Sequence, residues 1–186
     1  MNKAELRQKH LERRNNADPV LIQTASLRIQ EKIWHKIKDA QTIGVYIAME
    51  HEVQTMALID RLLKAGKTVC VPKIVNKAMI FVRLRNFSEC ATSKFGILEP
   101  VSNDAYPGPI DIHVVPMLAF NARKFRLGYG KGYYDAYLKD FTGYKLGVCF
   151  QEDFDDELIE SQTDIACDEI LTESEVTFFH TNSPHH

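Results

Sequence analysis

"IDIHVVPMLAF", residues 110–120, is a near-continuous apolar run, preceded by a stretch rich in turn formers and followed by "NARKFRLGYG". A strand that is apolar at almost every position is covered on both faces, the condition of a mainly parallel sheet with helices on either side. The flanking sequence agrees with that reading. "TIGVYIAM" (42–49), "KTVCVPKIV" (67–75), "AMIFVRLR" (78–85) and "YKLGVCF" (144–150) are further strands, and Pro72 puts part of the second at an edge or bulge. Short extended pieces follow around "DEILTE" and "VTFF" near the end of the chain.

Between these runs the pattern turns helical. Residues 2–16 form a mostly polar helix that has only Ala4, Leu6 and Leu11 to bury. Asp18 and Pro19 open a second helix as N-cap and first helical residue. Along it Val20, Leu27 and Trp34 recur every seven residues beside Ile22, Ile29, Ile33 and Ile37, which predicts a broad apolar face turned to the core. "TMALIDRLLKAG" (55–66) is a helix stopped by Gly66, "GYYDAYLKDF" (132–141) is another, and "DDELIESQ" (155–162) reads as a short one. Residues 86–109 read as a surface loop. Strands alternating with helices predict an α/β fold, a mainly parallel central sheet covered on both faces, in one domain over residues 1–186.

Composition narrows the function. The net charge of -2 argues against a nucleic-acid binder that relies on bulk positive charge. Cys70, Cys90, Cys149 and Cys167 are far apart and form no CxxC pair, so neither a zinc site nor a disulfide framework is expected. The polar start "MNKAELRQKHLERR" lacks the apolar core of a signal peptide, and no apolar run approaches a membrane span. A cytoplasmic protein with no membrane partner is expected.

The chemistry concentrates in "RLGYGKGYYDAYL" (126–138), where Gly128, Gly130 and Gly132 alternate around Tyr129 and Lys131. Clustered glycines mark either a tight turn or the close approach of a ligand to the backbone. Lying between a strand and a helix that starts near Gly132, the cluster falls where open α/β sheets bind ligands. Amides at a helix start, with Arg126 and Lys131 beside them, suit phosphate oxygens. The spacing is neither G-x-G-x-x-G, because residue 133 is Tyr, nor a Walker A loop. A glycine turn that only reverses the chain is the bland alternative. Asp135 is open to two readings as well: an acid complementing the helix dipole, or a magnesium ligand facing the phosphates.

With "KAELR", "YIAMEHEVQT", "FGILEP", "IDIHVVPMLAF" and "DIACDEILTE" in order around it, "RLGYGKGYYD" resembles the signature of the 5-formyltetrahydrofolate cyclo-ligase (methenyltetrahydrofolate synthetase) family. The resemblance implies a Rossmann-like three-layer fold and ATP-dependent closure of 5-formyltetrahydrofolate to 5,10-methenyltetrahydrofolate, with ADP and phosphate released through a phosphorylated formyl intermediate. It implies ATP contacts at Lys3, Arg7, Arg126, Gly128, Tyr129, Gly130, Lys131, Gly132, Tyr133 and Tyr134, with Arg126 and Lys131 acting in catalysis. Substrate contacts are implied at Ile47, Met49, Glu52 and Tyr133, and magnesium at Asp135 and Asp168. For Tyr137 the packed-tyrosine reading is preferred. The implied partners are 5-formyltetrahydrofolate and MgATP, bound by a monomer. This chain departs from the pattern at Asn121, where the family usually carries Asp, and at Lys124, where it often has Gly. The proline and histidine common within "DFDDELIESQTD" are missing too. The alternatives are a sugar-phosphate isomerase or coenzyme A transferase-like enzyme, and a non-catalytic sensor of a phosphorylated metabolite.

Overall fold

A computed structural model describes residues 1–94 and 96–174, so "VTFF" lies outside the described residues. The chain runs through α1 (Lys3–Asn15), α2 (Pro19–Ile37), β1 (Thr42–Val45), α3 (Met56–Lys64), β2 (Thr68–Val75), β3 (Ala78–Leu84), β4 (Cys90–Thr92) and β5 (Leu98–Pro100). It continues through β6 (Ile112–Val115), β7 (Ala119–Phe120), β8 (Arg126–Leu127), α4 (Tyr133–Leu138), β9 (Tyr144–Val148) and β10 (Glu169–Leu171).

The main sheet has six strands in the order β10-β9-β6-β1-β2-β3, all parallel except β3. Its side chains alternate between two cores, as the twofold period of a strand requires. Ile43, Val45, Val69, Val71, Val114, Leu146, Val148 and Leu171 face α2 and α3. Cys70, Val115, Cys149 and Ile170 face Tyr134 and Leu138 of α4. The result is the three-layer α/β arrangement expected from the apolar run at 110–120. β3 turns back on β2 through Asn76 and Lys77, both left-handed (φ 51° and 63°), which suits a two-residue hairpin. Pro72 lies past the last β2 residue paired with β1, where only β3 runs alongside, so its position is in effect an edge.

Several sequence expectations are corrected. The run 110–120 is two strands: β6 ends at Val115, and residues 116–118 lead into β7, which pairs antiparallel with β8. The strand expected over 42–49 ends at Val45, and the chain then turns into a loop. Residues 86–109 hold a 3-10 turn (Phe87–Glu89) and the β4–β5 hairpin. Residues 155–162 form no helix. The Asp155 amide is tied to the Phe120 carbonyl (2.8 Å), and its carboxylate accepts from the Glu157 amide (3.0 Å), the self-bonding that lets Asp compete with helix.

The buried face of α2 also differs. Val20 and Leu27 are 68% and 50% exposed, and the sheet receives Ile29, Ile33 and Ile37 together with Ser26 and Gln30. The reason lies in α3, whose N-cap Thr55 makes no capping bond to its own helix. Ser26 Oγ accepts from the Gln54 amide (2.9 Å), and Gln30 Oε1 from the Leu58 amide (2.8 Å). A helix start buried without such partners would leave orphan donors.

Candidate active site

One wall of the candidate site is the loop that follows β1. Tyr46 donates its hydroxyl to the Val53 carbonyl (2.7 Å) and Thr55 to the Tyr46 carbonyl (2.8 Å), closing the loop at its base. Glu52 folds inward, 5% exposed, and accepts from the Met49 amide at 2.9 Å. Burial pushes its carboxyl up, while the Met49 amide and the charge of Arg14, with Tyr129 and Arg126, pull it back down. Met49 and Ile47 are half-buried beside it, Ile47 leaning on the α2–α3 core.

The other wall is the β7–β8 hairpin and the glycine loop. Asn121 organises the hairpin: its amide nitrogen donates to the Leu158 carbonyl (3.0 Å) and Glu160 (2.8 Å), and its oxygen accepts from the amides of Arg123 and Phe125. An Asp could not make the two donations, so Asn here is a substitution with work of its own. Lys124 adopts φ 67°, the left-handed conformation that glycine takes at no steric cost, so a lysine here occupies backbone that favours glycine.

Each loop glycine has a distinct reason. A Cβ on Gly128 would stand 2.7 Å from a terminal nitrogen of Arg126, whose guanidinium passes beneath the loop. Gly130 (φ 100°) is left-handed and packed on Arg7, whose Nε donates to the Gly128 carbonyl at 2.9 Å. Gly132 (φ 71°) makes the left-handed entry into α4. The loop therefore combines the turn with the close approach of two arginines. Arg126 is buried, with its guanidinium 5.1 Å from the Tyr134 ring centre. Its Nε and the Tyr134 hydroxyl are buried without hydrogen-bond partners among the described residues. Lys131 is exposed and Tyr133 half-buried. The Tyr129 hydroxyl reaches across to His51 Nε2 at 2.9 Å, so the two walls touch. Tyr137 is packed as preferred, its hydroxyl 2.9 Å from His113 Nε2 beside Phe81.

The remaining predicted residues are spread more widely. Lys3 is paired with Asp164 at 2.6 Å. One oxygen of Asp135 accepts from the Ile165 amide at 3.2 Å. Asp168 stands just before β10, at the amino end of a parallel strand; one oxygen accepts from the Lys145 amide (2.8 Å) and lies 3.6 Å from the Lys145 ammonium. The structure thus gathers Arg7, Arg126, the glycine loop, Met49 and Glu52, and leaves Asp168 engaged with Lys145.

A buried charge cluster was missed. His10, Arg13 and Arg14 of α1 converge on Asp153, which is fully buried, and His10 and Lys9 reach Asp155. Burial opposes ionisation of both acids, but the bonds from His10, Arg13 and Arg14 hold Asp153 below its ordinary value, and those from Lys9 and His10 do the same for Asp155. Charged residues on a polar helix ordinarily face water, and no spacing in "HLERR" or "EDFDD" marks these as partners.

Comparison with known proteins bears on the whole chain. Residues 1–173 match the 5-formyltetrahydrofolate cyclo-ligase family. A probable 5-formyltetrahydrofolate cyclo-ligase of Caenorhabditis elegans is 28% identical over 171 residues, 83% of this chain and 82% of its own. The 5-formyltetrahydrofolate cyclo-ligase of Escherichia coli is 29% identical over 146 residues, 74% of this chain and 80% of its own. The solved structure of the Aquifex aeolicus 5,10-methenyltetrahydrofolate synthetase superposes with a TM-score of 0.85 at 30% identity, covering 100% of this chain and 97% of the other. With its three-layer sheet, its glycine loop and its family match over residues 1–173, this chain belongs to the 5-formyltetrahydrofolate cyclo-ligase family of enzymes.

Proposed function

We propose that the protein closes 5-formyltetrahydrofolate to 5,10-methenyltetrahydrofolate at the expense of ATP, releasing ADP and phosphate. The observation that carries this reading is a glycine loop backed by Arg7 and Arg126 and joined, through the Tyr129–His51 bond, to the loop that buries the Glu52 carboxylate. It acts as a single-domain cytoplasmic monomer in this reading, which the free thiols at all four cysteines suit.

The nucleotide occupies the glycine-loop wall. Backbone amides of residues 128–132 and the side chains of Lys3, Arg7, Arg126 and Lys131 take the triphosphate, with Tyr129, Tyr133 and Tyr134 around it. Arg126 Nε and the Tyr134 hydroxyl are donors awaiting an acceptor, since a buried polar group without one costs about 1–3 kcal/mol. The pterin lies against Ile47, Met49 and Tyr133, with Glu52 accepting from its N–H-rich edge. The formyl oxygen attacks the γ-phosphorus, giving an imidate phosphate and ADP. N10 then adds to the activated carbon, loses its proton, and phosphate leaves. An amide oxygen departs poorly until phosphorylated, so the protein's part is positioning and charge neutralisation.

Magnesium, when bound, would neutralise phosphate charge. Among the described residues no group of three or more His, Cys, Asp or Glu is placed to hold a metal. Magnesium commonly takes one or two carboxylates plus phosphate oxygens and water. Asp135, with one oxygen committed to the Ile165 amide and the other left over, suits this pattern. Asp168 is assigned as the second acid on the family resemblance, and to serve it would have to give up its ion pair with Lys145.

The test is the appearance of methenyltetrahydrofolate absorbance from 5-formyltetrahydrofolate with the purified protein. Appearance only when ATP and magnesium are both supplied is expected. No product with ATP and magnesium present would overturn the reading and leave an isomerase-like enzyme or a phosphometabolite sensor to be considered.

A further inference from the structure

Arg14 is 2% exposed, and every arm of its guanidinium is engaged. Nε donates to Asp153 (2.9 Å), one terminal nitrogen to the His51 carbonyl (3.3 Å), and the other to the carbonyls of Met117 (2.7 Å) and Leu118 (3.2 Å). The group also sits 5.2 Å from the Phe150 ring centre. One planar fork therefore joins α1, the 3-10 turn Gln151–Asp153, the loop after β1 and the link between β6 and β7.

Two of these are the walls of the site. His51 immediately precedes Glu52, and the Leu118 amide donates to the Leu127 carbonyl (2.8 Å) at the base of the glycine loop. Two helical turns before Arg14, Arg7 holds the Gly128 carbonyl. Asp153 has His10 and Arg13 as partners without Arg14. The bonds to three carbonyls on both walls are thus what Arg14 adds.

Two groups titrate within this arrangement: Glu52, and His51, whose imidazole is held down by burial and by the charge of Arg14. Facing Glu52 are Tyr46 after β1, Tyr129 of the glycine loop, Arg126 of β8, Tyr134 of α4 and Arg14 of α1, with His51 beside it in its own loop. Burial drives its carboxyl towards the neutral form, and among the neighbouring cations Arg14 opposes this most. A neutral carboxyl has fewer acceptor sites to offer a pterin's N–H groups.

We propose that Arg14 is a positioning residue for the folate site: it fixes the His51 carbonyl, supplies the positive charge opposite Glu52, and through α1 ties this wall to Arg7 and the nucleotide loop. The inference rests on reading these two walls as the site of 5-formyltetrahydrofolate and ATP.

Calorimetric titration of the full chain with 5-formyltetrahydrofolate, and separately with ATP, from pH 5 to 8 tests it. Binding that needs the Glu52 carboxylate fades as pH falls through that group's titration. Arg14→Gln removes a cation and lets burial raise the titration further, so the pH of half-loss moves upward. Affinity at pH 7 falls about tenfold or more, the equivalent of one lost charge-assisted contact, and ATP affinity falls less. Arg14→Lys keeps the charge but cannot span three carbonyls: the half-loss pH stays near wild type while folate affinity still drops several-fold. If the Gln variant does not fold, the Lys variant alone decides by that drop. His10→Gln, which disturbs the same Asp153 cluster, should lower thermal stability without moving the half-loss pH.

A folded Arg14→Gln or Arg14→Lys with wild-type folate affinity and pH profile would overturn the proposal. So would an equal pH displacement in His10→Gln, since Arg14 would then act only by holding the fold together. Wild-type protein that fails to bind 5-formyltetrahydrofolate at all would sink the functional reading, and this inference with it.

Discussion

At the scale of single residues, the site pairs groups of opposite purpose, and substitution separates them. Glu52 is buried and faces the proposed pterin position, so Glu52→Gln should weaken 5-formyltetrahydrofolate far more than ATP in separate calorimetric titrations; equal losses would make it a structural acid. Lys131 is exposed and makes no hydrogen bond or ion pair among the described residues, so Lys131→Ala should leave the thermal transition unchanged. If it contacts the phosphates only in the complex, turnover should fall by an amount equivalent to about 2–4 kcal/mol of transition-state stabilisation. A full-speed Lys131→Ala enzyme would remove it from the mechanism. For the metal, Asp135→Asn should raise the magnesium concentration needed for half-maximal rate. Asp168→Asn should do so less, because Lys145 already neutralises that carboxylate. Unchanged magnesium curves in both variants would dissociate these acids from the metal. The glycine cluster stood out in the sequence because glycines crowded at alternate positions are rare, whereas Glu52 was marked only through the family resemblance, since a loop acid by itself reads as solvated. The reasons for the individual glycines were not legible, since they depend on where Arg7 and Arg126 lie in space.

At the scale of elements, α1 is the informative case. From sequence it is a polar helix with little to bury, yet it carries Arg7 to the loop and Arg14 to both walls of the site while His10, Arg13 and Arg14 hold Asp153. Its docking rests on Leu6, buried against Leu118, Leu127 and Leu158, together with buried ionic bonds that hydrophobic periodicity cannot report. Conversely, α2 advertises apolar residues around much of its circumference. Which face is buried was decided by Ser26 and Gln30 capping the start of α3, a tertiary fact. The expected helix at 155–162 failed for a related reason: Asp155 is drawn to Lys9 and His10, and Phe154 beside it makes a single parallel bridge to Phe120 of β7. The importance of the α1 joint can be measured. Asp153→Asn leaves Arg13 and the buried Arg14 short of their counter-charge and changes the partner of His10, and breaking a buried pair costs about 3–5 kcal/mol. A lower urea midpoint is expected, together with a higher KM for ATP as Arg7 loses its placement. A midpoint within experimental error of wild type would mean that α1 is held by Leu6 and its apolar neighbours alone.

At the scale of the whole molecule, the same joint sets the response to acid. Asp153, Asp155 and Asp164 are held below their ordinary values despite burial, by His10, Arg13 and Arg14, by Lys9 and His10, and by Lys3 with Ser161, respectively. Glu160 is brought down to about 2, chiefly by its bond from Arg123. A carboxyl depressed by folding contributes stability above its unfolded value of about 4, and that contribution is lost as pH falls through the folded value. Glu52 has the opposite sign: raised by burial, it is a liability when ionised and is relieved by protonation. Four depressed carboxyls that tie α1, the 120s hairpin and residues 151–164 together outweigh one raised carboxyl in a loop. Stability measured by urea unfolding should therefore be level from pH 7 to about 5 and decline steadily below about pH 4. In Asp153→Asn the decline should be shallower, because the most buried of the four no longer titrates. A wild-type unfolding free energy that stays level down to pH 3, or an Asp153→Asn slope as steep as wild type, would show that these carboxylates are not paired in solution as they are in the structure, and the joint between α1 and the body would need another explanation.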